Sequence, residues 1–251
     1  MRYFLEVRYL GTHYFGWQIQ PRQISIQEHL ENGLSRVLSS DIKIHGSSRT
    51  DTGVHARQQF AHFDIDELLI SLQDLKWKLN SYLPRDIAVM DIIHSKEESH
   101  SRFDAASRKY IYRINLQKEP FMLNNSFYFR KELNVSLMNE AAVLLLINTD
   151  FECFSKVRTE VNNFKCHIQE AEWKQFGHNL EFHIKANRFL RGMVRAIVGT
   201  LLDVGQSKIS VGDFQKIIDA KDRRNAGSAS KAHGLTLEEV NYPENYLRNE
   251  N

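Results

Sequence analysis

The sequence predicts an α+β protein with two related lobes, a mainly antiparallel sheet and helices on one face. Hydrophobic periodicity in the first half follows the order strand, helix, strand, strand, helix, strand, and the second half repeats a similar order less clearly. The chain has 251 residues, of which 42% are hydrophobic and 25% charged, so it can bury a core without a disulfide or a metal. These observations exclude collagen-like, low-complexity and wholly disordered classes.

Neither a membrane span nor a secretion signal is visible in the sequence. The longest apolar run, Ala141 to Ile147, is far shorter than the ~20 residues of a membrane helix. The first ten residues alternate charged and apolar side chains instead of forming an apolar block. We therefore expect a cytoplasmic protein with no membrane partner.

The first lobe is predicted over residues 1–103. A strand over Arg2 to Tyr9 follows from its alternation, and Ser25 with Glu28 forms a capping-box pattern at the start of an amphipathic helix. The remaining predicted elements are a short strand at Ile42 to His45, a strand near Phe60 to Phe63, a helix at Asp66 to Leu79 and a strand at Ile87 to Ile93.

The second lobe is predicted over residues 104–251, although no segment rich in Pro, Gly or Ser marks the boundary. Its predicted strands are Lys109 to Leu116, Cys166 to Lys174, Leu180 to Ala186 and Leu235 to Tyr242. Its predicted helices are Ser136 to Ile147, Phe189 to Val204 and Val211 to Ala220.

The cysteine spacing and the distribution of charge limit the kinds of function that the sequence allows. Cys153 and Cys166 lie thirteen positions apart with no Cys-x-x-Cys spacing, which favours neither a disulfide framework nor a zinc site. The formal net charge is only +2, but Lys185 to Lys231 contains ten Lys or Arg residues against four Asp, a local charge of +6. This distribution fits a phosphate-binding face or a solvated surface of mixed charge.

The densest polar segment is the loop from Gly46 to Arg57, which reads GSSRTDTGVHAR. Asp51 lies between Arg49 and Arg57, whose opposite charge favours the ionised form that a nucleophilic or basic carboxylate requires. A polar turn in which Asp51 caps backbone amides explains the same residues. The Asp-Thr-Gly triplet also occurs in aspartic proteases, but no second such triplet is present to complete their carboxylate pair.

Two further segments contain candidate binding residues. Tyr110 and Tyr112 share one face of a predicted strand, where a ring can stack on a nucleobase or simply pack across strands. In the helix predicted from Phe189, we expect Arg188, Arg191 and Arg195 to lie on one side, opposite an apolar stripe. Such a helix could pair with a phosphate or carboxylate, or present a solvated arginine face.

Together these motifs resemble the tRNA pseudouridine synthase A family over nearly the whole chain, from Tyr9 to about Tyr242. The matching segments are Gly16-Trp17-Gln18, the loop from Arg49 to Ala56, Arg102 to Ala105, the Arg108/Tyr110/Tyr112 spacing, Phe189 to Gly199, Lys231-Ala232 and Gly234-Leu235. Two positions depart from the family pattern: Ser48 stands where glycine is usual, and Leu10 stands where an Asp usually precedes Gly11.

The resemblance implies a homodimer that isomerises uridines 38, 39 and 40 of the tRNA anticodon arm to pseudouridine, without a cofactor or a metal. The implied roles are Asp51 as nucleophile, Arg195 as its ion-pair partner, Tyr110 as the ring stacked on the uracil, Arg49 as a helper in nucleotide flipping and Leu235 as a wall of the base pocket. Arg57, His55 and Arg191 are further candidates for substrate binding.

The implied chemistry suits these residues. The isomerisation breaks the C1′–N1 bond and rejoins uracil through C5, with no net redox change, and a single ionised carboxylate can attack C1′ or remove the C2′ proton. A base inside a folded RNA arm must be flipped out and given a new stacking surface. A non-catalytic RNA-binding protein remains an alternative, but it leaves Asp51 between two arginines without a purpose. A carboxylate hydrolase would need a second poised acid, for which Asp104 is the best candidate.

Overall fold

The computed structural model describes residues 1–157, 163–244 and 246–247. Their contacts divide into two compact units: Met1–Ala106 with the described residues from Leu237 onward, and Ser107–Thr236. The lobe boundary at residues 103 and 104 stays a prediction. No helix within the described ranges is both long and apolar enough to cross a membrane.

The first unit is built on antiparallel strand pairs. Its elements are β1 (Arg2–Tyr9), α1 (Ile26–Leu38), β2 (His45–Gly46), β3 (His55–Asp64), α2 (Leu72–Tyr82) and β4 (Ile87–Ser95). Strand β1 lies between β3 and β4, so that Leu5 opposes Ala61 on one side and Ile92 on the other. The short β2 pairs with β3 next to the loop that contains Asp51. This arrangement makes β1 a central strand, fixed on both sides.

The second unit repeats this construction. Its elements are β5 (Ser107–Asn115), β6 (Phe127–Tyr128), α3 (Val135–Ile147), β7 (Ile168–Phe176), β8 (Asn179–Ala186), α4 (Met193–Gly205) and α5 (Val211–Ala220). Strand β8 lies between β5 and β7, antiparallel to both, and the short β6 pairs in parallel with β5. Leu180, Phe182 and Ile184 of β8 are fully buried, as alternation requires for its core face. The last strand, β9 (Leu235–Asn241), begins in this unit and continues in the first.

The structure confirms the predicted α+β class with mainly antiparallel pairing, and the predicted element order of the first half. The bounds of β1 and α5 are those predicted. Ser25 caps α1 as expected, because its hydroxyl accepts a hydrogen bond from the Glu28 amide at 3.2 Å.

Two predicted helix starts were wrong. Helix α2 begins at Leu72 rather than Asp66, because Ser71 is the residue that caps it and accepts from the Asp74 amide at 3.0 Å. Helix α4 begins at Met193 rather than Phe189, because Gly192 before it takes a left-handed conformation with φ of 72°. In addition, β3 begins at His55, five residues before the strand predicted near Phe60.

Candidate active site

Asp51 lies in the loop that joins β2 to β3 in the first unit. Its side chain is half-buried, whereas neighbouring Arg49 is exposed. The Thr50 carbonyl accepts a hydrogen bond from the Trp17 amide at 3.1 Å, and the Asp51 carbonyl accepts one from the Val54 amide at 3.1 Å. The peptide groups on both sides of the Asp51 Cα are therefore fixed in place.

The segment that follows β1 packs directly against this loop. Gly16 has φ of 90°, and a Cβ added there would lie 2.6 Å from the Thr50 carbonyl oxygen, so only glycine fits. The Trp17 ring is buried against Gly46, where a Cβ would come within 2.4 Å of the indole. The Gly16-Trp17 motif is visible in the sequence, but its structural role is not. In the structure, the motif packs against the Asp51 loop and supports it.

His55 is the first residue of β3, directly after the loop, and is only 2% exposed. Its Nδ1 accepts a hydrogen bond from the Gly11 amide at 3.0 Å, so this nitrogen carries no proton. The buried ring offers the substrate little surface, and its visible task is to connect the loop to the residues after β1.

Arg57 extends from β3 on the exposed side of the first unit. Its Nε lies 3.4 Å from a carboxylate oxygen of Glu238, which is largely covered. This pair borders a cleft of about 640 Å³ that also contains Arg8, Arg85 and Glu239. The cleft therefore offers both hydrogen-bond donors for anions and acceptors for amino groups.

Tyr110 lies on β5 in the second unit and is 8% exposed. Its ring meets Phe189 edge to face, with centroids 5.2 Å apart. Tyr112, two residues along on the same strand face, is fully buried and donates a hydrogen bond to the Lys231 carbonyl at 2.9 Å. Burial raises the pKa of the Tyr112 hydroxyl. Tyr112 is thus a packed core residue, and Tyr110 is largely buried as well.

Arg195 lies in the first turn of α4. Its Nε donates to the Ser230 carbonyl at 2.8 Å, and the Ser230 amide donates to the Arg195 carbonyl at 2.9 Å. Gly199 lets this helix approach the same segment, since a Cβ there would lie 1.8 Å from the Ser228 carbonyl oxygen. The start of α4 and the segment around Ser230 are therefore held together.

The expected arginine face on a single helix was wrong. Arg188 and Arg191 precede Gly192 and therefore lie before the helix begins. Of the three arginines, only Arg195 belongs to α4. Arg191 is exposed. Leu235, at the start of β9, is 5% exposed and follows the short turn Ala232–Gly234.

The predicted site residues fall into two sets. The first unit holds Arg49, Asp51, His55 and Arg57, and the second holds Tyr110, Arg191, Arg195 and Leu235. Within the part of the chain that the structure describes, no three His, Cys, Asp or Glu side chains are grouped so as to hold a metal ion.

Comparison with known proteins gives a consistent result. A family profile described as tRNA pseudouridine synthase matches residues 6–104 and 141–243. The chain is 46% identical over 244 residues to tRNA pseudouridine synthase A of Bacteroides fragilis, covering 97% of each chain. It is 44% identical to the protein of that name from Parabacteroides distasonis over 97% of this chain and 96% of that one, and 37% identical to the Bacillus pumilus protein over 94% and 97%. The chain therefore belongs to the tRNA pseudouridine synthase family.

Proposed function

We propose that this protein isomerises uridine to pseudouridine in the anticodon arm of tRNA, at positions 38, 39 and 40, with Asp51 as the nucleophile. The observation that carries the proposal is the half-buried Asp51 carboxylate on a loop whose flanking peptide groups are both hydrogen-bonded in place. A reacting group gains most when its geometry is fixed before the substrate arrives.

The reaction needs one carboxylate and the atoms of the uridine itself. Asp51 either attacks C1′ or takes the C2′ proton, and the C1′–N1 bond breaks with its electron pair leaving on uracil. The detached uracil turns and C5 bonds to C1′. In the first route this bond displaces the Asp51 carboxylate from C1′, and in the second route Asp51 returns its proton to C2′. The C5 proton then departs and N1 takes up a proton. The product has the same composition as the substrate.

The second unit supplies the remaining roles in this proposal. The resemblance to the family makes Arg195 the proposed ion-pair partner of the nucleophile, and its backbone and side-chain hydrogen bonds with Ser230 support a fixed direction of its guanidinium group. Tyr110 stacks on the flipped uracil and Leu235 lines the base pocket.

The exposed arginines meet the RNA backbone. Arg49 helps to turn the nucleotide out of the arm, while Arg57 and Arg191 bind phosphates. His55 contributes through the loop, since its ring is buried. Binding then depends largely on tRNA shape and charge, which suits an enzyme that accepts neighbouring uridines.

Three wider statements belong to the same proposal. The substrate is tRNA, so we place the protein in the cytoplasm. We also propose a homodimer, because a second subunit widens the basic surface available to one tRNA. Light scattering that gives a dimer mass at assay concentration supports this arrangement, and a monomer mass contradicts it.

A tRNA transcript with tritium at uridine C5 tests the function. We expect tritium release from a transcript with uridines at positions 38 to 40, and none when those three uridines are replaced by cytidine. The alternative, a non-catalytic RNA-binding protein, predicts equal binding of both transcripts and no release from either. Pseudouridine found only outside the anticodon arm would contradict the proposed positions.

A further inference from the structure

We infer that the buried hydrogen bond between the hydroxyls of Tyr9 and Thr50 sets the position of Asp51, so that Tyr9 and Thr50 are positioning residues for the reaction. The two oxygens lie 2.7 Å apart in a buried environment. This inference rests on the proposed function, because it assigns residues to the same site.

Thr50 is anchored at two points. Its side chain bonds to Tyr9, and its carbonyl accepts from the Trp17 amide at 3.1 Å. The Thr50 carbonyl belongs to the peptide group that joins Thr50 to Asp51. That peptide group is fixed, and the Val54 amide holds the Asp51 carbonyl. The side-chain torsions of Asp51 are therefore the main motions left to its carboxylate.

Tyr9 supplies a rigid reference for the loop. It is the last residue of β1 and pairs with Ala56 of β3 and Ile87 of β4, so its backbone lies within the sheet. Its ring packs near Trp17, with centroids 6.1 Å apart. The hydrogen bond between the two hydroxyls therefore fixes the Thr50 side chain relative to the central strand β1.

A second link joins the same two regions. The Gly11 amide donates to His55 Nδ1 at 3.0 Å. The chain leaving β1 therefore holds both the residue before Asp51 and the first residue of β3. Loss of the Tyr9 hydroxyl would leave the His55 link, the Trp17 bond to the Thr50 carbonyl and the fold intact, while releasing the Thr50 side chain.

The expected signature is a loss of turnover with little change in substrate binding. Removing one hydrogen bond lets the loop sample other positions, and displacement of a reacting group by ~1 Å can cost about 100-fold in rate. We expect Tyr9→Phe and Thr50→Val each to lower the single-turnover rate by about tenfold, with the KM for tRNA within about twofold of wild type.

The control set separates positioning from general damage. Tyr3→Phe makes the same change on the same strand, at a residue that is also buried and lies at the far end of β1. Thr50→Ser keeps the hydroxyl and should recover most of the rate. The double variant Tyr9→Phe/Thr50→Val should turn over no more slowly than the slower single variant, within about twofold, because both changes remove one interaction.

The outcomes are distinct. A low rate for Tyr9→Phe with unchanged KM, a normal rate for Tyr3→Phe and rescue by Thr50→Ser support the inference. An active wild type with an equally active Tyr9→Phe overturns the inference alone, as does a double variant whose losses multiply. A wild type that releases no tritium overturns the proposed function, and the inference with it.

Discussion

Gly199 in α4 provides a test of the packing around Arg195. Alanine normally stabilises a helix interior by about 1 kcal/mol relative to glycine. Here the added Cβ would lie 1.8 Å from the Ser228 carbonyl oxygen, whereas ordinary van der Waals contact begins at 3.4 Å. The atom that it meets belongs to the backbone, so the segment around Ser228 must move away from the helix.

The energy of this change can be bounded. Overpacking a well-filled interior costs about 1–3 kcal/mol, and contact with backbone places Gly199→Ala at the upper end. After the helix gain of about 1 kcal/mol, we expect a net loss of about 2 kcal/mol in the free energy of unfolding. For a chain of this size that corresponds to a Tm lower by about 4–8 °C. Turnover should also fall, because Ser230 in the displaced segment holds Arg195.

Urea unfolding followed by circular dichroism measures the change. Gly212→Ala in α5 is the matched control, since its nearest neighbour atom would be 3.7 Å away. We expect the free energy of unfolding of Gly212→Ala to equal that of wild type or to exceed it by up to about 1 kcal/mol. A Gly199→Ala protein as stable as wild type would refute the reasoning.

Two further predictions concern buried titratable groups. Burial lowers the pKa of His62 to about 4, so the folded state binds fewer protons than the unfolded chain below pH 6.5 and stability falls as the pH drops. Between pH 6.5 and pH 5 we expect the free energy of unfolding of His62→Phe to fall by about 1.5 kcal/mol less than that of wild type, measured by urea unfolding; parallel pH profiles would contradict this. Burial raises the thiol pKa of Cys153 to about 12 and that of Cys166 to about 11. Both thiols should resist an aromatic disulfide reagent at pH 8 until the protein unfolds, and fast reaction of the native protein would count against their burial.

Local patterns in the sequence predicted much of the fold. Alternation over Arg2 to Tyr9 gives β1 its observed bounds, because a strand with one core face has a period of two. Helix α2 shows the limit of this method. Leu68 and Leu69 continue a helical spacing, yet Leu69 is 83% exposed and the chain becomes helical only after its capping residue, Ser71.

The candidate site was only partly predictable. Asp51 stood out because it is the single acid in a contiguous segment of basic and small residues. The contacts that fix its loop could not be read in the same way, since Tyr9 and Thr50 are 41 residues apart and Gly11 and His55 are 44 apart. Such pairs depend on strand register and chain direction, which periodicity within one segment does not specify.

The measurement that tests the central claim most directly compares wild type with Asp51→Asn in tritium release from C5-labelled tRNA, in buffer containing EDTA. Asp66→Asn, an exposed aspartate in the first unit, is the control for loss of one charge. We predict release by wild type and Asp66→Asn, and no detectable release by Asp51→Asn although it still binds tRNA. Turnover by Asp51→Asn at the wild-type rate would contradict the assignment of Asp51 as the nucleophile.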